Sequence, residues 1–399
     1  MSTVRPQASI GTQRTVRTLA GVLVLSLVAA CDGGSSGTQS AAGPAPTPAA
    51  VTLRYPFLPP MPDPPADPQN PPTMEKLELG TYLFFDARLS GSGFTACNNC
   101  HVFNTSFQDN LNMPRPDTSR GADFFLLPRN TESLFNIVYR KDFFRDGRLS
   151  NLSRAMTEPW IEDNEQLGTT RELAAAHLAG ILRDIRGYVD LFQRAFGTDI
   201  HALEPEQVFD LAGDALAVWV RQLVSRDSPF DRFNAGDDQA IDDHAKRGAE
   251  IFTGRGGCVA CHAGPNFTDN GFHNLSTDPP DASGTRKDEG RFLVTHVEAD
   301  RGKFQTPTLR HVSRTSPYFH NASAPTLLDV LQHLNAGAAE DPNHDPLVGR
   351  PLGFSDDDMF DLISFLRALR GESVVLWGPK GPLYLQKDAD QLQRSLLPQ

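Results

Sequence analysis

Cys97-Asn98-Asn99-Cys100-His101 has a second copy later in the chain, Cys258-Val259-Ala260-Cys261-His262. In the spacing C-x-x-C-H, two thiols can add to the edges of a haem while the adjoining imidazole coordinates the iron. Zinc is the alternative, because it also takes Cys and His ligands. A zinc module normally has its second pair within about 15–20 residues, whereas these pairs lie far apart and each has its own His. The motifs therefore predict two covalently attached c-type haems.

Length, net charge and cysteine content indicate a protein of two or three domains that does not bind nucleic acid. A chain of 399 residues is long enough for two or three domains. The formal net charge of -12 argues against nucleic acid as a partner, although an acidic body can still present a local face to a basic redox protein. Four of the five cysteines belong to the haem motifs and the fifth is Cys31. No thiol is then left for a structural disulfide.

The N-terminus predicts export. Arg5, Arg14 and Arg17 precede a short apolar run over residues 19–28, as in a signal peptide. The run is too short for a comfortable membrane span. Val28-Ala29-Ala30-Cys31 resembles the lipobox of bacterial lipoproteins, in which acyl chains on the Cys form a stable anchor. The alternatives are a plain signal peptide or a weak membrane helix. We expect a signal peptide over residues 1–31, an acylated Cys31 and attachment to the membrane through lipid only.

The remaining sequence predicts a mainly α fold, with two cytochrome c-like haem domains in tandem. Residues 32–72 are rich in Pro, Ala, Gly and Ser and read as a flexible tether. Pro229 and the polar run at 234–238 mark a boundary. Helical patterns cover residues 74–85, 170–196 and 206–224. The predicted units are a first haem domain over 73–235, a second over 236–385 and a tail over 386–399.

The second unit shows the plan of a cytochrome c domain. A helix carrying Ile241, Ala245, Gly248 and Phe252 at helical spacing leads into the second haem motif. A closing amphipathic helix begins at the N-cap Ser355 and ends before residue 371, after which little pattern remains. We expect the end of the chain to lie across the body.

An ordered set of further motifs resembles the bacterial di-haem cytochrome c peroxidase family, which includes the MauG-like enzymes. The likeness runs from about residue 77 to 369. Its elements are residues 79–86 and 88–90 before the first haem motif, Arg129-Asn130-Thr131, Asp146-Gly147-Arg148, Gly264, residues 267–269 and 272–274, Asp288-Glu289-Gly290-Arg291, residues 306–310 and residues 317–320.

This resemblance implies a division of labour between the haems. The N-terminal haem is the peroxidatic one and the C-terminal haem relays electrons. Counting from Asp-Gly-Arg without a gap places the family's distal acid–base group, a Glu, at Glu165 and its distal-pocket Pro at Pro159. The alternative is that Glu165 is one exposed acid in an acidic stretch. A Gln common in that pocket is replaced by Ala155.

The resemblance also implies an interdomain calcium ion and ligands for the haem propionates. The ion would be held by the side-chain oxygen of Asn130 and the backbone carbonyls of Thr315 and Pro317, an all-oxygen set that suits a hard cation. Asn130 alternatively caps a turn. Arg148 and Arg310 match partners for haem propionates, since a guanidinium binds a carboxylate through two hydrogen bonds. Either is alternatively an ordinary surface Arg.

Two departures from the family concern the N-terminal haem and the route between the haems. Classical members have a loop His that ligates the N-terminal iron in the oxidised state, but residues 102–145 contain no His. Met113 lies in this loop without matching the ligand position. We therefore expect a first haem that is open to peroxide without prior reduction. The Trp that often precedes Asp-Gly-Arg is Arg145 here, so electron transfer between the haems must use another route.

A third departure concerns the distal side of the C-terminal haem. The family has Met or Tyr as the ligand there, whereas the gap-free count reaches Leu334, which cannot coordinate iron. A vacant position, a shift that brings in the adjacent His333, another ligand such as Met359, and a frame slip near Ala322 are the alternatives.

Three functions follow from these features. The first is a periplasmic peroxidase that reduces hydrogen peroxide with electrons from a small cytochrome c or cupredoxin. The second is a MauG-like oxidase that uses peroxide to oxidise a protein partner. The third is a non-catalytic electron-transfer cytochrome. Family members often dimerise, so a homodimer is a further expectation of the resemblance.

Overall fold

The computed structural model describes residues 52–111, 127–162, 167–337 and 341–371, and the backbone of 375–378 and 381–384. These parts of the chain are mainly helical. The helices are α1 (Met74–Phe85), α2 (Cys97–Cys100), α3 (Leu152–Thr157), α4 (Arg171–Asp184), α5 (Arg186–Phe196), α6 (Pro205–Arg221), α7 (Pro229–Asn234), α8 (Asp243–Thr253), α9 (Phe292–Thr295), α10 (Leu327–Ala336) and α11 (Asp356–Ala368). None of these helices is long and apolar enough to cross a membrane.

Two short antiparallel strand pairs and several short 3-10 helices complete the secondary structure of the described residues. Strand β1 (Phe272–His273) pairs with β2 (Phe304–Gln305), and β3 (Val375–Gly378) pairs with β4 (Gly381–Tyr384). The second pair lies in the stretch where the sequence shows little pattern, and β3 lies beside α1.

The first hydrophobic core is built around the packing of α1 on α6. Thr73 caps α1, where its side chain accepts a hydrogen bond from the backbone N–H of Lys76. Leu79 and Leu83 then point to one side of the helix and are fully buried. A Cβ at Gly80 would overlap the carbonyl oxygen of Ala215 on α6, so the two backbones touch at this point. Gly80 therefore allows the close crossing of α1 and α6 on which this core is built.

The second core repeats this design with α8 and α11. Ser355 is the N-cap of α11 and exchanges hydrogen bonds with Asp358, which confirms the predicted helix start. A Cβ at Gly248 on α8 would overlap the carbonyl oxygen of Asp361 on α11. The α8 helix ends just before the second haem motif. The molecule is therefore mainly α, with two cytochrome c-like domains.

Parts of the chain depart from the sequence-based expectations. The helical pattern over 170–196 is two helices, because Ile185 is extended between α4 and α5. Residues 54–70, within the predicted tether, lie on the body: Tyr55 and Leu58 pack in or against the second core, and Asn70 donates to the Asp214 carbonyl oxygen. The tether prediction now concerns residues 32–51, which lie outside the described residues, as does the predicted tail. The second core also includes Phe230, so the boundary at 235 stays a prediction.

Candidate functional site

Each of the two C-x-x-C-H motifs forms a tight turn. In the first, the backbone N–H of His101 donates to the Cys97 carbonyl oxygen at 2.9 Å. In the second, His262 donates to the Cys258 carbonyl oxygen at 2.8 Å. Each His thus follows its first Cys by one helical turn, which brings thiols and imidazole to the same side of the chain. This arrangement suits attachment of one haem at each motif.

Each of these histidines is held by a backbone carbonyl in the loop that follows. The Nδ1 atom of His101 lies 3.1 Å from the Phe107 carbonyl oxygen, and Nδ1 of His262 lies 2.9 Å from that of Phe267. A carbonyl accepts only, so Nδ1 carries the proton and Nε2 is left as the ligand atom for iron. Burial lowers the pKa of both imidazoles, which favours the neutral form that binds metal. The residues present therefore fit two haem irons.

The two halves also share a backbone pattern that the sequence analysis missed. Positive φ angles, isolated β-bridges and helix N-caps recur at one constant separation along the chain. The matching pairs are Asn136 with His311, Phe144 with Phe319, the bridge Phe143–Leu149 with Tyr318–Ala324, and the caps Asn151 with Thr326. Divergent side chains conceal the repeat in the sequence.

The repeat bears on the distal positions of both haems. Pro159 and Leu334 follow their N-caps, Asn151 and Thr326, by the same number of residues, so they occupy equivalent places. The separation stays constant through Ala322, whose positive φ matches that of Gly147. The uniform spacing shows no insertion or deletion between the two halves near Ala322, and Leu334 as the distal position stays a prediction.

His333 and Met359, the alternative distal ligands for the second iron, are both engaged in other contacts. Nε2 of His333 lies 2.8 Å from the Leu275 carbonyl oxygen, and its ring contacts Phe319. Met359 is buried within the second core, on α11. Neither side chain is presented freely as a distal ligand. The predicted acid–base residue Glu165, the loop residue Met113 and the acylation site Cys31 lie outside the described residues.

Several of the ordered motifs meet at the junction between the domains. The Arg129 guanidinium binds Asp146 at 2.6 Å and Asp288 through two bonds of 2.6 and 2.9 Å. Arg291 donates to the carbonyl oxygens of Asp146 and Gly147 at 2.8 and 2.6 Å. Burial alone would raise the pKa of Asp288, but the hydrogen bonds from Arg129 outweigh it and lower that pKa. The motifs therefore form one charged network that joins the domains.

The three predicted calcium positions lie together at a cavity of about 100 Å³ at this junction. Asn130 Nδ2 donates to the Pro317 carbonyl oxygen at 2.6 Å, and Gln108 Nε2 donates to Asn130 Oδ1 at 2.9 Å. Thr315 lines the same cavity. The donor set is the oxygen set that calcium prefers. The residues fit the ion if the Asn130 amide rotates to turn Oδ1 toward Pro317 and the Gln108 amide, which now donates to Oδ1, moves with it.

Arg148 and Arg310, the two predicted partners of the haem propionates, differ in whether an N–H group is left free for a ligand. Arg148 stacks over Phe144 at 3.8 Å and binds Glu162 at 2.9 Å, while its buried Nε has no hydrogen-bond partner among the described residues. That N–H suits a haem propionate. In Arg310, by contrast, Nη1 and Nη2 donate to the Asp231 carboxylate at 2.7 and 2.9 Å, and Nε donates to the Pro265 carbonyl oxygen. Arg310 thus takes part in a buried ion pair rather than presenting a free fork to a propionate.

Comparison with known proteins identifies the family. Residues 74–239 match the family described as di-haem cytochrome c peroxidase. The chain is 33% identical over 357 residues to the methylamine utilization protein MauG of Methylorubrum extorquens, covering 89% of this chain and 94% of that protein. The chain belongs to the di-haem cytochrome c peroxidase family.

Another sequence relative and a solved structure support the same family. The cytochrome c551 peroxidase of Pseudomonas aeruginosa is 34% identical over 305 residues, covering 76% of this chain and 81% of that protein. A solved MauG-like protein associated with microbial copper homeostasis superposes with a TM-score of 0.66 at 25% identity, covering 79% of this chain and 94% of that one. The protein is therefore an oxidoreductase of a family that carries two c-type haems.

A cluster of charged side chains lies beside the junction cavity, at the position where the family often has a Trp. Arg145, at the position of the family's Trp, donates through Nε to the Asn130 carbonyl oxygen at 3.0 Å. Glu132 also lines the cavity and binds Arg140 at 3.0 Å. Burial opposes ionisation of Glu132, but Arg140 and Arg145 outweigh it and lower its pKa. A charged cluster therefore stands where an aromatic ring is expected from the resemblance.

Proposed function

We propose that the protein is a peroxidase that reduces hydrogen peroxide to water with electrons from a small redox protein. The observation that carries the proposal is the matched arrangement of His101 and His262. Each donates Nδ1–H to a backbone carbonyl and keeps Nε2 for an iron. Two equivalent haem sites in one body suit a reaction that needs two electrons per peroxide.

The residues of this chain take distinct parts in the reaction. The N-terminal haem, held by Cys97, Cys100 and His101, would supply the iron that binds peroxide, and the C-terminal haem, held by Cys258, Cys261 and His262, would relay electrons to it. The Glu165 carboxylate accepts a proton from one peroxide oxygen and delivers it to the other, while Pro159 borders the pocket. Two electrons and two protons convert one peroxide into two waters. The electrons come from a small cytochrome c or cupredoxin in the periplasm, where the acylated Cys31 anchors the enzyme.

Peroxide turnover with a reduced cytochrome c tests this assignment. Glu165→Gln should lower kcat by roughly 10²–10⁴-fold, the usual contribution of a positioned acid–base group. Glu162→Gln is the matched control, because Glu162 lies in the same acidic stretch but binds Arg148. It should retain turnover. Loss of turnover in Glu162→Gln with retention in Glu165→Gln would show that the role belongs to another acid.

We further propose that calcium binds at the junction through Asn130, Thr315 and Pro317. The purified protein should contain calcium, measured by atomic emission, and Asn130→Ala should lose it because the only side-chain ligand of the three is removed. Asn274→Ala is the control, since Asn274 is also buried but binds Asp341. Absence of calcium from the wild type, or equal loss in both variants, would contradict this site.

A MauG-like oxidase is the second candidate. It is favoured by the absence of His from residues 102–145 and by 33% identity to a protein named MauG. Such an enzyme would pass the oxidising equivalents of peroxide to a protein substrate instead of drawing electrons from a donor. Peroxide-oxidised protein that persists in the presence of reduced cytochrome c would favour this candidate, whereas rapid consumption of the donor favours the peroxidase.

A further inference from the structure

The loops that follow the two haem motifs are joined by reciprocal contacts across the domain junction. Asn136, from the first half, donates through Nδ2 to Oδ1 of Asn266 at 2.9 Å. His311, at the equivalent place in the second half, has Nδ1 3.3 Å from Oγ of Ser106. Ser106 and Asn266 each immediately precede the Phe whose carbonyl holds a haem-ligating His. Each half thus reaches the loop that supports the iron ligand of the other.

Stacked rings connect the first loop to the second half. The Phe107 ring meets the Phe135 ring edge to face, with centroids 5.4 Å apart. Phe135 in turn stacks on His311 at 4.2 Å, with an angle of 26° between the planes. Phe107 supplies the carbonyl that holds His101. An unbroken line of contacts therefore leads from the first haem ligand to His311.

The line continues from His311 to the second haem ligand. Arg310 is covalently adjacent to His311, and its Nε donates to the Pro265 carbonyl oxygen at 2.8 Å. Its guanidinium carbon lies 5.4 Å from the centre of the Phe267 ring. The Phe267 carbonyl oxygen holds His262. The whole connection thus consists of covalent bonds, hydrogen bonds and ring contacts.

The connection is enclosed by protein. Phe107, Phe135, Arg310 and His311 are all at most 5% exposed. Burial lowers the pKa of His311 to about 3, and the neighbouring cations Arg370, Arg310 and Arg314 act in the same direction. The imidazole is therefore neutral near neutral pH and can stack on Phe135 without the cost of a buried charge.

We propose that this junction, centred on the Phe135–His311 stack, is the route by which single electrons pass between the two haems. The proposal rests on the proposed peroxidase function, in which the C-terminal haem supplies electrons to the N-terminal one. In each transfer the C-terminal haem would give up one electron, going from Fe(II) to Fe(III), the N-terminal haem oxidised by peroxide would gain that electron, and the donor protein would re-reduce the C-terminal haem before the next transfer. Two transfers complete one turnover, and no proton moves along the junction. The stack would take the place of the family's Trp, because Arg145 stands at that position in this chain and has no aromatic ring.

Pulse radiolysis of the holoprotein tests the route without peroxide. A radical reductant delivers one electron per molecule, and the absorbance change as that electron re-equilibrates between the haems gives the rate. His311→Leu should slow this step roughly tenfold, equivalent to about 1.4 kcal/mol of activation free energy. His311→Phe keeps an aromatic ring on Phe135 and should retain most of the rate. Phe135→Leu breaks the stack from the other side and should slow the step as His311→Leu does.

His320→Leu is the matched control. His320 is as buried as His311, stacks on Phe304 at 3.7 Å and has Nδ1 3.3 Å from Oγ1 of Thr277, but these contacts do not join the two haem loops. This variant should keep the wild-type rate. Reduction potentials and spectra of each variant report whether the haem sites are intact.

The outcomes separate the route from the function. A slow step in His311→Leu and Phe135→Leu, with unchanged potentials and a normal His320→Leu, supports the route. An unchanged rate in both variants, or an equal loss in His320→Leu, overturns it. A wild type that transfers electrons between its haems yet reduces no peroxide refutes the proposed function and leaves the route intact.

Discussion

His311 and His320 show how burial without a countercharge sets a protonation state. Each ring stacks on a Phe, and neither has an ion pair with a carboxylate among the described residues. Burial lowers the pKa of each imidazole to about 3, with nearby arginines acting in the same direction and Asp288 partly opposing them at His320. The folded protein therefore excludes a proton that the unfolded chain accepts below its ordinary pKa of about 6.5.

This difference predicts a loss of stability in mild acid. Between about pH 6.5 and 3 the unfolded state binds more protons, so the free energy of unfolding falls as pH drops, by about 1.4 kcal/mol per pH unit for each such His. His320→Leu should remove its share of that slope, measured by denaturant unfolding of the holoprotein at several pH values. The exposed His201→Leu is the control and should keep the wild-type slope. An unchanged slope in His320→Leu would contradict the neutral buried imidazole.

Side-chain partners distant in sequence explain what residue-level prediction missed. The motif containing Arg310 is recognisable, but its ion pair with Asp231 joins residues 79 apart and depends on how α7 packs. The same holds for Asn136 and Asn266, whose contact spans 130 residues. The sequence identifies the residues of the C-x-x-C-H motifs because their function is encoded in adjacent positions. It does not identify partners that only the fold brings together.

At the scale of elements, two helix crossings organise the domains. Gly80 and Gly248 let α1 contact α6 and α8 contact α11 at the backbone. A side chain at either position would need the facing helix to move, and a carbonyl group, unlike a flexible side chain, cannot turn away. These glycines therefore determine how close the helices come.

Gly248→Ala should destabilise the protein by about 1–3 kcal/mol or more, the usual cost of overpacking a core. The control is Gly180→Ala on α4, where an added Cβ meets no atom within 4 Å. That change should stabilise the helix by roughly 0.5–1 kcal/mol, since Gly is a poor helix former. Thermal unfolding of both variants measures the contrast. Equal stability in the two would show that α8 and α11 are not in backbone contact.

The elements also show which boundaries a sequence can reveal. Helices α1 and α11 match the sequence-based prediction because a polar N-cap and a periodic apolar face mark them locally. The break at Ile185 has no such mark, since no polar N-cap precedes α5 and Gly187 lies inside its first turn. Residues 54–70 have a tether-like composition, but their contacts with α6 and α7 come from tertiary packing.

At the scale of the whole molecule, one backbone plan is used twice with different side chains. Pro159 matches Leu334, Arg145 matches His320, and Asn136 matches His311 at the constant separation of the repeat. The proximal sides stay alike, because both histidines are held by a Phe carbonyl. A functional difference between the haems must therefore come from the distal side and from the junction, where the two halves diverge.

The distal side of the N-terminal haem yields the last prediction. Residues 102–145 contain no His, so the loop lacks the ligand that caps this iron in classical members of the family. An iron held only by His101 is five-coordinate and high-spin in the fully oxidised protein. Electron paramagnetic resonance of the oxidised holoprotein should show this signal, and peroxide should react without prior reduction. Cyanide, as an added sixth ligand, should convert the signal to low-spin. A spectrum that is entirely low-spin before cyanide is added would mean that another side chain caps the iron, and peroxide would then have to displace it before any chemistry began.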